Sequence, residues 1–206
     1  MKKQLITAVF AILSLSAFAA QPLSEDFESH KLSPKTGDGI YSSVSQWRAH
    51  NIQMVQIGVV DNPNKAGINP SSKVLKIDRA VCDTLTDNKW AGRIAFRGAR
   101  TQSFKIPFTA TKCIVEIKIL NTVGGQVGVR IYPDMDKTTK DDFKIVTANV
   151  PASNDWQVVQ FDFSSIVSLM TDYPSFIFEV DKKTTIASQS PELIIYIDDI
   201  KLVDKQ

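Results

Sequence analysis

Two residue types that carry much of protein chemistry are nearly missing from this sequence. Its 206 residues hold only 2 histidines and 2 cysteines. With so few soft ligands, no zinc site of ordinary spacing can be assembled. His30 and His50 stand apart from any Ser/His/Asp or HExxH arrangement, which removes the usual signatures of serine hydrolases and zinc proteases. Helical periodicity never persists beyond about two turns, so an α/β enzyme built on a parallel sheet is disfavoured. No glycine-rich phosphate loop occurs, because Gly124-Gly125 reads as a hairpin turn. No compact motif of paired carboxylates is present either. Asp162 and Glu179, which share outward strand parity, are a pair that could face each other across a glycosidase cleft.

Charge of one sign is also scarce. The formal net charge is +2, and residues 1–20 account for it. They read MKKQLITAVFAILSLSAFAA: two lysines, an apolar run from Leu5 to Leu15, then small residues. This is the three-part layout of a secretory signal, cleaved after Ala19 or Ala20. The run is too short and too interrupted by Ser14 and Ser16 for a membrane anchor. Loss of Lys2 and Lys3 leaves basic and acidic side chains equal in number over residues 21–206. A nucleic-acid binder or polybasic membrane adhesin shows a basic surplus, and neither class is supported. The expected location is outside the cytoplasm: periplasmic, cell-surface or secreted. In such a compartment Cys82 and Cys113 can pair, which the chain-entropy estimate values at roughly 3–4 kcal/mol. They fit equally well as two buried thiols packed as small hydrophobes.

What is present in abundance is period-two alternation. Ile94 and Phe96 oppose Arg93 and Arg97; Val115, Ile117 and Ile119 oppose Glu116 and Lys118. Val127, Val129 and Ile131 oppose Arg130 and Tyr132, and Val159, Phe161 and Phe163 oppose Gln160 and Asp162. Phe176, Phe178 and Val180 complete the set. These are half-buried strands. Turn-rich stretches at 62–73, 121–126, 134–142 and 151–155 separate them, as in an antiparallel sandwich occupying residues 21–206 as one domain. In the last strand Ile195 and Ile197 share one parity and Ile200 and Leu202 the other, so a β-bulge is predicted at Asp198-Asp199.

Four segments carry a family resemblance: EDFES at 25–29, NPxxxGxNxSxxV from Asn62 to Val74, WxxxxFDFS from Trp156 to Ser164, and YIDDIKLV at 196–203. In this order they resemble the carbohydrate-binding jelly rolls of the galactose-binding-like type, such as carbohydrate-binding module families 4, 9 and 22. The resemblance implies an all-β jelly roll and a structural calcium tying the first strand to the last. Its ligands would be Glu28 and Asp199 or Asp198, with backbone oxygens near Ser72 and Lys73. The resemblance also implies a poly- or oligosaccharide site on a sheet face or at the loops. The outward residues Arg93, Arg97, Glu116, Arg130 and Tyr132, together with Trp47, are the candidates. The function expected is an exported, monomeric, non-catalytic module that binds glycan, alone or beside a separate glycan-degrading enzyme. The alternatives are a glycoside hydrolase or polysaccharide lyase on the same scaffold, or a protein-interaction or envelope-structural sandwich.

Overall fold

A computed structural model describes residues 23–29, 40–41, 46–50, 55–79, 93–97, 106–132, 143–165, 167, 175–180 and 193–206. The expected signal at 1–20 and Cys82 lie outside them. Among the described residues every regular element is a strand: β1 Ser24–Glu25, β2 Ile40–Tyr41, β3 Gln46–His50, β4 Val55–Asp61, β5 Lys73–Arg79, β6 Arg93–Arg97, β7 Lys112–Asn121, β8 Gly125–Tyr132, β9 Lys144–Val150, β10 Gln157–Asp162, β11 Ser175–Val180 and β12 Leu193–Asp204.

The strands form two antiparallel sheets. The first runs β10-β7-β12-β5-β4, with β1 also on β12; the second runs β2-β3-β6-β11-β8-β9. Alternation explains the core between them. Val115, Ile117 and Ile119 of β7, Leu75 and Ile77 of β5, and Ile195 and Ile197 of β12 are buried on the inner side of the first sheet. Val127, Val129 and Ile131 of β8 and Phe178 of β11 answer from the second. Phe27, Phe161, Phe163 and Phe178 are fully buried, each stabilising the fold by about 1.5–3 kcal/mol relative to exposure. Cys113 is a free thiol buried in this cluster, so it packs as a small hydrophobe.

The predicted bulge is present: the pairing of β12 with β7 shifts register between Asp198 and Lys201, and Asp199 has a φ of 50°. It falls where β12 changes partners. Residues 193–197 pair with β5, whereas Lys201 and Ile200 pair with Ser24 and Glu25 of β1. A one-residue slip there lets Ile200 and Leu202 stay buried although their parity has changed.

Candidate functional site

The motif from Asn62 to Val74 folds as a loop over the outer side of the first sheet. Asn62 holds it closed: its Nδ2 donates to the carbonyls of Asn69 at 3.1 Å and Ser71 at 2.9 Å, its N–H donates to Ser72 O, and its Oδ1 accepts from Asn64 N–H. A second small apolar cluster of Val74, Leu120 and Trp156 lies on this side. Trp156 Nε1 donates to Asn64 O at 2.7 Å and Asn64 Nδ2 donates to Asn154 O at 2.9 Å, pinning the loop to the turn before β10.

Asp198 is fully buried. Its Oδ1 accepts from the Asp199 N–H at 2.8 Å, but its Oδ2 has no hydrogen-bond partner, and neither does either polar side-chain atom of the fully buried Asn69. Burial pushes the Asp198 carboxyl up from 3.8 to about 6, against the opposing influence of Ser71 and Asn69 beside it. A buried carboxylate oxygen without a close partner is a costly arrangement unless a proton or a cation answers it.

Of the residues expected to share one metal, Glu28 and Asp198 both meet the segment 69–73. Glu28 is engaged with the start of β5: its carboxylate accepts from the Ser72 hydroxyl and N–H and from the Lys73 N–H, while Lys73 Nζ donates to Glu28 O at 2.8 Å. The Ser72 hydroxyl holds the Glu28 carboxyl below its ordinary range. Asp199, turned away from Asp198 by the bulge, meets Lys118 Nζ at 3.0 Å and Lys201 Nζ at 3.5 Å. Of the two adjacent acids, only Asp198 is left with an uncommitted oxygen. Its neighbours Asn69 and Ser71 escaped the sequence reading, which took the carbonyls of Ser72 and Lys73 instead. Both belong to the NPxxxGxNxSxxV motif, and a polar side chain at a fixed place in a turn was the available signal.

The expected sugar-binding set is divided. Arg93, Arg97, Arg130, Tyr132 and Trp47 belong to the second sheet, but Glu116 belongs to β7 of the first. There Glu116 accepts from Lys201 Nζ at 2.9 Å and Gln160 Nε2 at 3.0 Å. Burial alone would raise its carboxyl, but these partners outweigh it and hold it low. Glu116 is thus a member of a charged lattice on the first sheet. Trp47 lies on β3 of the second sheet. It pairs with Phe96, which pairs with Phe176, which pairs with Ile131, and Ile131 is fully buried. Trp47 therefore shares a register row with Ile131. Of the acids Asp162 and Glu179, one is on β10 of the first sheet and the other on β11 of the second.

The remaining candidates do share a face. Gln46, Arg97, Ser175 and Tyr132 form one lateral row; Arg48, Ala95, Ile177 and Arg130 form the next of like parity; His50, Arg93, Glu179 and Gly128 form a third. Because Val127, Val129 and Ile131 are buried, these rows are the outer ones. The Arg130 guanidinium lies 4.2 Å from the centre of the Phe143 ring and is itself buried, an arrangement that fixes its position. Phe143, just before β9, was invisible to strand parity. At the end of the same face, Gln126 pairs with Asn149. With Gly125, Val150 and Pro151 they line a shallow groove of about 610 Å³.

No family model and no curated protein matches the chain. Among solved structures it is similar to an exo-β-agarase, at a TM-score of 0.57 and 10% identity over 90% of this chain and 26% of that one, so it spans about a quarter of the agarase's length. It is similar to the family 11 carbohydrate-binding module from Clostridium thermocellum at a TM-score of 0.45 and 9% identity, covering 89% of this chain and 97% of that one. It is also similar to the CBM22-2 xylan-binding domain from Paenibacillus barcinonensis Xyn10C, at 0.46 and 12%, covering 88% and 98%. By its strand order and by the agarase match, the chain has an all-β, antiparallel sandwich fold.

Proposed function

We propose that this protein is an exported, non-catalytic carbohydrate-binding sandwich that holds poly- or oligosaccharide on the outer rows of its second sheet. The observation that carries the reading is the placing on one sheet of Arg130, held on its Phe143 ring, and the Gln126–Asn149 groove. Sugar recognition asks for such a mixture, rings to cover apolar faces and fixed polar groups to orient hydroxyls. The similarity of fold to a part of an exo-β-agarase agrees with a glycan ligand. The reading is tested by affinity electrophoresis of the whole chain against plant, algal and host polysaccharides. Retardation by at least one gel, reduced in Gln126→Ala and Asn149→Ala, is expected; uniform absence of retardation overturns it.

The same proposal includes a structural calcium. Calcium takes six to eight oxygens, and the orphaned Asp198 Oδ2 and Asn69 Oδ1 fit that chemistry. Asp198, Asn69 and Ser71 would hold the ion, which would neutralise the buried charge. Glu28 and Lys73 contribute by clipping β1 to the loop above the site.

A further inference from the structure

The loop over the first sheet and the groove at the end of the second are joined through one residue. Asn64 makes four hydrogen bonds: its N–H donates to Asn62 Oδ1 at 2.9 Å, its Oδ1 accepts from the Ala66 N–H at 3.0 Å, its Nδ2 donates to Asn154 O at 2.9 Å, and its carbonyl accepts from Trp156 Nε1 at 2.7 Å. The first two stay within the loop, and the last two cross to the turn before β10. On the loop side Asn62 carries the connection to the carbonyls of Asn69 and Ser71, whose side chains bear on Asp198.

The turn at 151–155 begins in the groove, since Pro151 lines it together with Val150, Asn149, Gly125 and Gln126. Pro151 O accepts from Gln157 Nε2 at 3.0 Å, and the Ser153 N–H donates to Asn121 O at 2.9 Å. Asn121 also closes the hairpin that leads into Gly125, its Oδ1 accepting from the N–H groups of Val123 and Gly124. One wall of the groove is thus tied through Ser153 to the hairpin that forms the other, and through Asn154 and Trp156 to Asn64. Chain of this kind, held by single bonds rather than by a strand ladder, lies at the low end of local stability, so each bond counts toward its order.

Resting on the glycan-binding and calcium readings above, we propose that Asn64 is a positioning residue that couples the loop at Asp198 to the groove, so that calcium held by the loop raises the affinity of the groove for glycan. An ion on Asp198, Asn69 and Ser71 would restrain the loop at its far end. Asn64 passes that restraint to Asn154 and Trp156, and the wall at Pro151 is ordered before the sugar arrives. Binding then spends less free energy on ordering the wall. No change of shape is needed, and the effect is reciprocal: glycan tightens calcium by the same factor.

The experiment follows the whole chain in chelator and in saturating calcium. Hydrogen exchange over residues 151–156 reads the wall, and affinity electrophoresis in gels containing agarose, soluble xylan or hyaluronan reads the groove. In the wild type, calcium is expected to slow exchange at Ser153 and Asp155 about fivefold and to lower the dissociation constant for a retarding polysaccharide by a similar factor. Combining Asn64→Ala with Trp156→Phe removes both bonds that cross from the loop to the turn. Calcium should still raise the melting temperature of that variant, while both effects fall below about twofold. Where the double variant melts too early to compare, Asn64→Asp keeps the acceptor for Ala66 and loses the donor to Asn154, and a reduced effect is expected in both readouts. Calcium that raises the wild-type melt yet leaves exchange and retardation unchanged, or changes them equally in the variants, overturns the coupling and leaves the glycan and calcium readings standing. No retardation in any gel overturns the glycan reading, and an unchanged wild-type melt overturns the calcium reading; either takes the coupling with it.

Discussion

Replacing Asp198 with Asn keeps the size of the side chain and the acceptor for the Asp199 N–H while removing the buried charge. The wild-type carboxyl is pushed from 3.8 to about 6 by burial, and a shift of that size corresponds to roughly 3 kcal/mol. An acid whose folded-state pKa is raised binds more protons folded than unfolded between those two values. Stability contributed by the protonated form is therefore complete below about pH 4 and is lost as pH rises through about 6. In chelator, Asp198→Asn should match the wild type near pH 4 and exceed it by up to about 3 kcal/mol at pH 7, or about 6–12 °C in melting temperature for a chain of this length. Calcium at a hundred times its Kd should close most of that gap, and at a thousand times its Kd, where it adds about 4.1 kcal/mol to the wild type and little to the variant, it should reverse the order. Thermal melts at both pH values, with chelator and with calcium, provide the assay. An offset that is the same at pH 4 and pH 7, or a variant less stable than wild type in chelator at pH 7, would refute the burial reasoning. An unchanged wild-type melt on adding calcium would refute the brace.

Three other outcomes follow from the geometry. Gly124 has a φ of +77°, and a Cβ there would sit 2.9 Å from the Ala152 backbone N, so Gly124→Ala should cost about 1–3 kcal/mol in urea unfolding; a change below half a kcal/mol would contradict it. Phe178→Ala empties a fully buried ring position facing the first sheet and should cost about 3–5 kcal/mol by the same measurement. Glu28 is held below its ordinary 4.5 by the Ser72 hydroxyl, so its contribution is present above that value and lost as pH falls through the lowered one. Glu28→Gln should therefore flatten the acid limb of the stability curve, and identical acid limbs in the two proteins would argue against the clip.

Strand parity made much of the fold legible. The inner residues of β7, β8 and β10 and the slip at Asp198-Asp199 follow from alternation alone, because one face of each strand must be dry. Parity does not say which sheet a strand joins. Glu116 and Arg93 are both outward, yet they lie on opposite faces because β7 pairs with β10 and β12 while β6 pairs with β3 and β11. That choice is made by long-range pairing and leaves no local trace. No strand was legible in the sequence at Gln46–His50, so Trp47 had no parity to judge by. β9 was also hard to see, since an edge strand half exposed along its length shows little alternation. The nest around Asp198 was half legible. The acid announced itself through the bulge, but its partners Asn69 and Ser71 are turn residues whose side chains could equally have capped backbone.

The order in which the strands join has a kinetic meaning. β5 and β7 do not pair with each other; β12, the last strand, lies between them and also carries β1. β11 likewise separates β6 from β8. As the chain leaves the ribosome, neither sheet can close until residues beyond 175 have emerged, and the first waits for 193–204. Such non-local pairing makes folding slow and late. The nascent chain stays open along nearly its whole length, and the final twelve-residue strand acts as the latch that turns two separate strand pairs into one sheet.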